Sequence, residues 1–280
     1  MIMDNPSYKR RFGFINLIIA LVFSIFASGT FACTTDAWLA GTVGAVNAND
    51  PNNDVSRVKG VCGLEVTGQG HVMDGSPGDG LNGEANFIGH FYFLPQFTSG
   101  SGTTDLFIAY SDEAGTSELF SVRYNGTDII IDATAATGGT SASFPADTTH
   151  WNLVEFGWHS GTTGNLWVNS DATIDSPDAT FTSGTGGVES VKLGAPNGFN
   201  GLVGKASFDE YESRRENQVG QLLAGDANLD GLIDSTDINA IVDEFLSGTL
   251  AEGVIDCDLD GLVDSSDINC VVAIFLGLRP

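Results

Sequence analysis

The sequence predicts a mainly β protein: a sandwich of short strands, followed by a small helical module built from two loop–helix units. Three observations carry that expectation. Between residues 33 and 215, short apolar runs alternate with clusters of Gly, Ser, Thr and Asn, with no helical period between them. One pair of runs flanks Asn125-Gly126, a strong short-range hairpin signal because such turns need positive φ. Near the C-terminus an acidic pattern occurs twice, 30 residues apart, and each copy precedes an apolar stripe at helical spacing.

The N-terminus reads as an export signal, residues 1–32. Lys9, Arg10 and Arg11 form a basic start, Phe12 to Phe26 is almost wholly apolar, and small and neutral residues then end in Thr30-Phe31-Ala32, with cleavage expected after Ala32. A retained membrane anchor and a lipid-modified Cys33 are the competing readings. With the signal removed, no membrane span remains, and the expected location is outside the cell or on its surface. The formal net charge of −25 speaks against nucleic acid and anionic membrane as partners, since both would be repelled. The four cysteines fall into two neighbouring pairs, Cys33 with Cys62 and Cys257 with Cys270, as suits an oxidising destination.

The predicted strands run from His90 to Leu94, Asp105 to Tyr110, Glu118 to Tyr124, Asp128 to Ile131, Asn152 to Trp158, Gly164 to Asn169, Ser190 to Leu193 and Lys205 to Glu212. The polar stretch that follows marks a boundary. Residues 33–215 are therefore expected to form the sandwich, 216–223 a linker and 224–280 the module.

The repeat carries the chemistry. Asp226, Asn228, Asp230, Gly231, Asp234 and Asp237 are echoed by Asp256, Asp258, Asp260, Gly261, Asp264 and Asp267. This is the D-x-[DN]-x-[DN]-G calcium-loop pattern, with Asp in the closing position. Calcium takes six to eight oxygens, and a tight loop supplies most of them. Asp226, Asn228, Asp230, Asp234 and Asp237 offer side chains and Leu232 its carbonyl. In the second copy Asp256, Asp258, Asp260, Leu262 (carbonyl), Asp264 and Asp267 do the same, so two Ca2+ ions are expected. Ile238, Ile241, Val242, Phe245 and Leu246 form one helical stripe, and Ile268, Val271, Val272, Phe275 and Leu276 its counterpart, positioned to bury against each other.

From about Ala224 to Leu278 the paired units resemble a type I dockerin. The resemblance implies two calcium ions at the positions just named and a cohesin-like protein as docking partner. It also implies partner-recognition roles for Ser235-Thr236 and Ser265-Ser266. The helix positions that often carry Lys-Arg in that family hold Asp243-Glu244 and Ala273-Ile274 here. From about Ala85 to Arg214 the sequence resembles laminin-G-like or concanavalin A-like jelly rolls. The residues behind this are Trp151 to Trp158, Gly164 to Val168 and Ser207 to Tyr211, in that order along the chain.

The run Phe208-Asp209-Glu210-Tyr211-Glu212 places Glu210 and Glu212 on one face if the strand is regular, but no E-x-D-x-x-E run of the glycosidase kind is present. Trp151, Trp158 and Trp167 are candidates either for the core or for stacking on sugar rings. The expectation is a non-catalytic, lectin-like binding or adhesion protein with a glycan as sandwich ligand. The alternative is a polysaccharide-degrading glycoside hydrolase, or its accessory subunit, tethered by the module.

Overall fold

In a computed structural model the described residues are 35, 38–47, 56–60, 62–75, 83–248 and 250–278. The predicted export signal and Cys33 lie outside them. From Cys33 onward the chain forms one compact unit.

The described residues build a mainly β structure of two antiparallel sheets and two short helices. The strands are β1 (Ala40–Gly41), β2 (Ala45–Asn47), β3 (Cys62–Val66), β4 (Gly70–Asp74), β5 (Asn86–Gly100), β6 (Thr104–Tyr110) and β7 (Glu118–Tyr124). They continue with β8 (Asp128–Asp132), β9 (Ser141–Pro145), β10 (Asn152–His159), β11 (Thr163–Val168), β12 (Ala179–Thr182), β13 (Ser190–Ala195) and β14 (Leu202–Arg214). The helices are α1 (Ser235–Ser247) and α2 (Ser265–Phe275). One sheet has the order β1-β4-β13-β6-β7-β8-β9 and the other β12-β11-β10-β5-β14-β3-β2.

The inner faces of the two sheets share an aromatic core. Phe87, Phe91 and Phe93 of β5, Phe107 of β6, Phe120 of β7, Phe156 and Trp158 of β10 and Phe208 of β14 are buried in it. The Phe107 and Phe156 rings lie 5.0 Å apart, and Trp158 stacks on Phe120 at 4.8 Å. Trp158 also donates from Nε1 to the Gly186 carbonyl at 3.1 Å, so its polar atom is satisfied inside the core.

β5 and β10 are buried on both faces, which explains why they read as nearly continuous apolar runs rather than alternating ones. Their outer faces carry Tyr92, Leu94, Trp151 and Leu153. These form a second cluster with Val58 and Val254, joined by Leu222, Ala224 and Leu259. Val254 and Leu259 belong to the C-terminal module, so the outer face of this sheet is the bed on which the module lies.

Residues 216–223, expected as a linker, are fastened to that bed. The buried Glu155 carboxylate accepts the Val219 N–H and the Gly220 N–H, each at 2.9 Å, and lies 3.3 Å from His90 Nδ1. Leu222 N–H donates to the Tyr92 hydroxyl at 3.0 Å. The segment 56–60 is bound in the same seam. Asp209 accepts the N–H groups of Val58 (2.7 Å) and Lys59 (3.0 Å), and buried Arg57 pairs with Glu244 of α1.

Several local expectations are corrected. The Asn125-Gly126 connection joins β7 to β8, but only Gly126 has positive φ, at 103°. Asn125 instead accepts the N–H groups of Thr127 and Asp128 through its side chain, an Asx turn that needs no positive φ at Asn. In β14 a bulge between Asp209 and Glu212 breaks the alternation, with Glu210 at φ 50°. Asp209 and Glu212 now stand opposite Tyr92 and His90, so Glu210 and Glu212 do not share a face as a regular strand would require.

The helical stripes bury only in part. Ile241 and Val271 are fully buried in the module core, and Ile238, Ile268 and Ile274 pack around it. Phe245, Leu246, Phe275 and Leu276 are exposed, Leu246 by 75%. The C-terminal parts of both stripes therefore remain outside the module core.

Candidate metal centre

Each loop is drawn shut by its own carboxylates. In the first, Asp226 accepts the N–H groups of Asp230 (3.1 Å) and Gly231 (3.0 Å), and Asp230 accepts that of Leu232 (2.9 Å). Gly231 turns the chain at φ 82°. Asp237 accepts the N–H groups of Ala227, Asn228 and Asp234, the last at 2.8 Å. The second loop repeats these bonds with Asp256 to Gly261 (2.8 Å), Asp260 to Leu262 (2.8 Å) and Asp267 to Cys257 (2.7 Å) and Asp264 (2.8 Å). Asp234 and Asp264 are also the N-caps of α1 and α2, each closing a reciprocal capping box with Asp237 or Asp267. The same acidic repeat thus starts both helices.

The second loop holds the observation with the clearest chemical meaning. Asp256, Asp258 and Asp260 each present a carboxylate oxygen, and these atoms lie within 4.8 Å of one another. Asp256 is fully buried, yet its Oδ1 has no hydrogen-bond partner, and neither has Asp258 Oδ1. A buried carboxylate oxygen without a donor is costly. Burial, followed by the charge of Asp267, pushes the Asp256 carboxyl up to about 8. Burial likewise raises Asp267, to about 6. The donor set is all oxygen and anionic, which fits a hard divalent cation and not a soft one.

The first loop differs by one charge. Asn228 replaces an aspartate, and its Nδ2 donates to Asp230 Oδ2 (3.1 Å) and Thr236 Oγ1 (2.7 Å). Ser235, Thr236 and Ser265 are exposed and Ser266 half-buried, all in the first turns of the helices. Leu232 and Leu262, expected to contribute carbonyls, are exposed in side chain. Glu244, at a helix position that often carries Arg in the resembled family, is used within the chain: it holds Arg57 and accepts the Ala251 N–H at 2.8 Å.

A disulfide joins Cys257 to Cys270, linking the start of the second loop to α2 with Cα atoms 5.9 Å apart. Cys62 is also disulfide-bonded, to a residue outside those described. Closing a loop of sequence separation 13 restricts the unfolded chain by about 3 kcal/mol. Replacing Cys257 and Cys270 by Ser is expected to lower the stability of the module by about that amount, read as a shift in its urea midpoint. An unchanged midpoint would contradict the assignment.

The raised carboxyls set a pH dependence. An acid whose folded pKa exceeds its unfolded value, ordinarily 3.8 for Asp, holds its proton more firmly in the native state. Cation-free protein should therefore lose stability as pH rises from about 4 to about 8. In EDTA, thermal unfolding followed at the helix band should occur at lower temperature at pH 8 than at pH 5. The opposite trend would show that the carboxylates are not crowded as described.

The three tryptophans that were candidates either for the core or for sugar stacking are all buried. Trp158 is in the core, Trp151 is buried in the seam under the module, and Trp167 is buried with its Nε1 on the Asp175 carbonyl at 3.1 Å. Sequence reasoning missed Glu155, His90 and Arg57, because a lone buried polar residue leaves no periodic signal.

No family model matches the chain, and no curated protein is found similar to it. Among solved structures the chain is similar to the cellulose-induced protein Cip1, with 13% identity and a TM-score of 0.40 over 67% of this chain and 91% of that one. It is also similar to the botulinum neurotoxin serotype D ligand-binding domain in complex with N-acetylneuraminic acid, with 8% identity and a TM-score of 0.43 over 73% of this chain. The receptor-binding domain of botulinum neurotoxin D gives 8% identity and a TM-score of 0.44 over 63% of this chain. The chain spans 46% and 45% of those two neurotoxin structures, less than half of either.

Proposed function

We propose that this protein is an exported, non-catalytic binding protein whose C-terminal module binds two calcium ions and docks a partner protein in the manner of a dockerin. The reading is carried by the buried, unpartnered oxygens of Asp256 and Asp258 in a loop that the chain repeats in register. In the first site Asp226, Asn228, Asp230, Asp234 and Asp237 would hold the ion, with the Leu232 carbonyl. In the second Asp256, Asp258, Asp260, Asp264 and Asp267 would hold it, with the Leu262 carbonyl. Bound calcium supplies positive charge to a carboxylate-lined cavity, and the protein's part is to present oxygens and exclude other donors. The exposed hydroxyl residues Ser235, Thr236 and Ser265 and the exposed helix ends would then face a cohesin-like partner.

For the sandwich, a glycan ligand is the companion proposal. The non-catalytic reading is supported by the ion pairs of Glu210 with Lys59 (3.1 Å) and Glu212 with Arg214 (2.6 Å), across a bulge that separates the two carboxylates. The test for the module is calorimetric titration of the full chain with CaCl2. Two ions bound per chain is the expected result, and no heat at millimolar calcium sinks the proposal. For the sandwich, a glycan array in calcium buffer is expected to return hits, and release of reducing sugar from a polysaccharide panel would replace binding by catalysis.

A further inference from the structure

The two loops are near copies in sequence and backbone but not in surroundings. Leu229 and Leu259 occupy the same loop position and share an unusual positive φ, 60° and 63°. Leu229 is 45% exposed, whereas Leu259 packs into the seam beside Tyr92, Leu94 and Trp151. Trp151 N–H, from the sandwich, donates to the Leu259 carbonyl at 2.7 Å. The paired glycines differ in the same way. A Cβ on Gly231 would meet nothing within 4 Å, while one on Gly261 would come within 2.4 Å of Leu94 Cδ2. Just before the second loop, Val254 bridges Lys59 and the Gly60 N–H donates to the Glu252 carbonyl at 3.1 Å.

We propose that the second loop is a structural ion site for the seam between sandwich and module, while the first loop binds its ion independently of the sandwich. The proposal rests on the calcium reading above. Leu259 lies between Asp258 and Asp260, so the backbone that offers its carbonyl and side chain to the sandwich is the backbone an ion would fix. A cation drawing Asp256, Asp258 and Asp260 together holds Leu259 in its positive-φ conformation. The sandwich, by gripping Leu259 and Gly261, holds the same loop ready for the ion. Coupling of this kind is reciprocal: what the ion does for the seam, the seam does for the affinity of the ion. Residues 228 to 232 of the first loop are exposed, and among the described residues they show no such contact with the sandwich.

The position-matched pair Leu259→Ala and Leu229→Ala tests this in the full chain, because both substitutions meet the same loop geometry and only one touches the sandwich. Calcium binding is followed by calorimetry, with Asp260→Ala and Asp230→Ala assigning each binding event to its loop. Leu259→Ala should weaken the second-loop event about fivefold to tenfold, and Leu229→Ala should leave the first-loop event within about twofold. Leu94→Ala approaches from the sandwich side without altering the loop, and should weaken the second-loop event in the same direction. Equal effects of the two leucine substitutions, or a second-loop event indifferent to both Leu259→Ala and Leu94→Ala, would overturn the proposal. Absence of any calcium uptake by the unaltered chain would instead remove the calcium reading on which it stands.

Discussion

Calcium in large excess is expected to raise the stability of the C-terminal module by about 4 kcal/mol for each loop filled at a thousandfold its dissociation constant. EDTA should abolish the gain. The reason is electrostatic. Without a cation the second loop gathers Asp256, Asp258, Asp260 and Asp267 with two carboxylate oxygens unpartnered, and the fold must hold mutually repelling charges in a buried space. Unfolding separates those charges, so the metal-free native state is disfavoured relative to the unfolded chain. A bound divalent ion reverses the balance, because the oxygens that repel one another all point at it. Thermal unfolding read at the helix band, with calcium and then with EDTA, measures the effect. Magnesium serves as the selectivity control, since it demands tighter octahedral geometry and gives up its water reluctantly. An unfolding temperature unchanged by calcium would leave the loops as acidic turns closed by their own backbone N–H groups.

Glu155→Ala is expected to cost about 3–5 kcal/mol, far more than a surface carboxylate would. Glu155 is fully buried on the outer face of β10 and receives the Val219 and Gly220 N–H groups while contacting His90. Its removal leaves the N–H groups of half-buried Val219 and buried Gly220 without their acceptor and takes away the contact of the buried His90 imidazole. Glu155→Gln retains one acceptor oxygen and should lose less. Urea unfolding gives the magnitude, and limited proteolysis gives the location. Cleavage should appear first between residues 216 and 223, where the chain would lift off the sheet. A loss below about 1 kcal/mol would mean that the segment is held by its apolar contacts and not by the carboxylate.

Nothing in the local sequence pattern marks the strap at Glu155, whereas other elements are local in origin. The runs Glu118 to Tyr124 and Asn152 to Trp158 were legible as strands because short segments rich in apolar and aromatic residues, bounded by turn residues, are a signal contained in a few consecutive residues. The two acidic loops were legible for the same reason. Asp, Asn and Gly at fixed offsets specify one tight turn, and the capping boxes of Asp234 with Asp237 and Asp264 with Asp267 are also local. β1 to β4 went unread because they are short and interrupted, and β9 because its apolar residues are few. The bulge at Glu210 was invisible because it follows from how β14 meets β5, not from its own residues.

By itself, then, the sequence determined the β character of the body, the two repeated acidic loops and the helices that leave them. Only the tertiary structure decided that the module lies on the outer face of the β5–β10 sheet, that the stretch after β14 is strapped down by Glu155, and that Trp151 serves the seam. It also decided that one loop is embedded while its near copy faces solvent. The physical reason is one of range. Turn chemistry and side-chain alternation are properties of neighbours along the chain. Burial is a property of surfaces brought together from positions as far apart as Leu94 and Gly261, and identical loop sequences acquire different surroundings only when those surfaces meet.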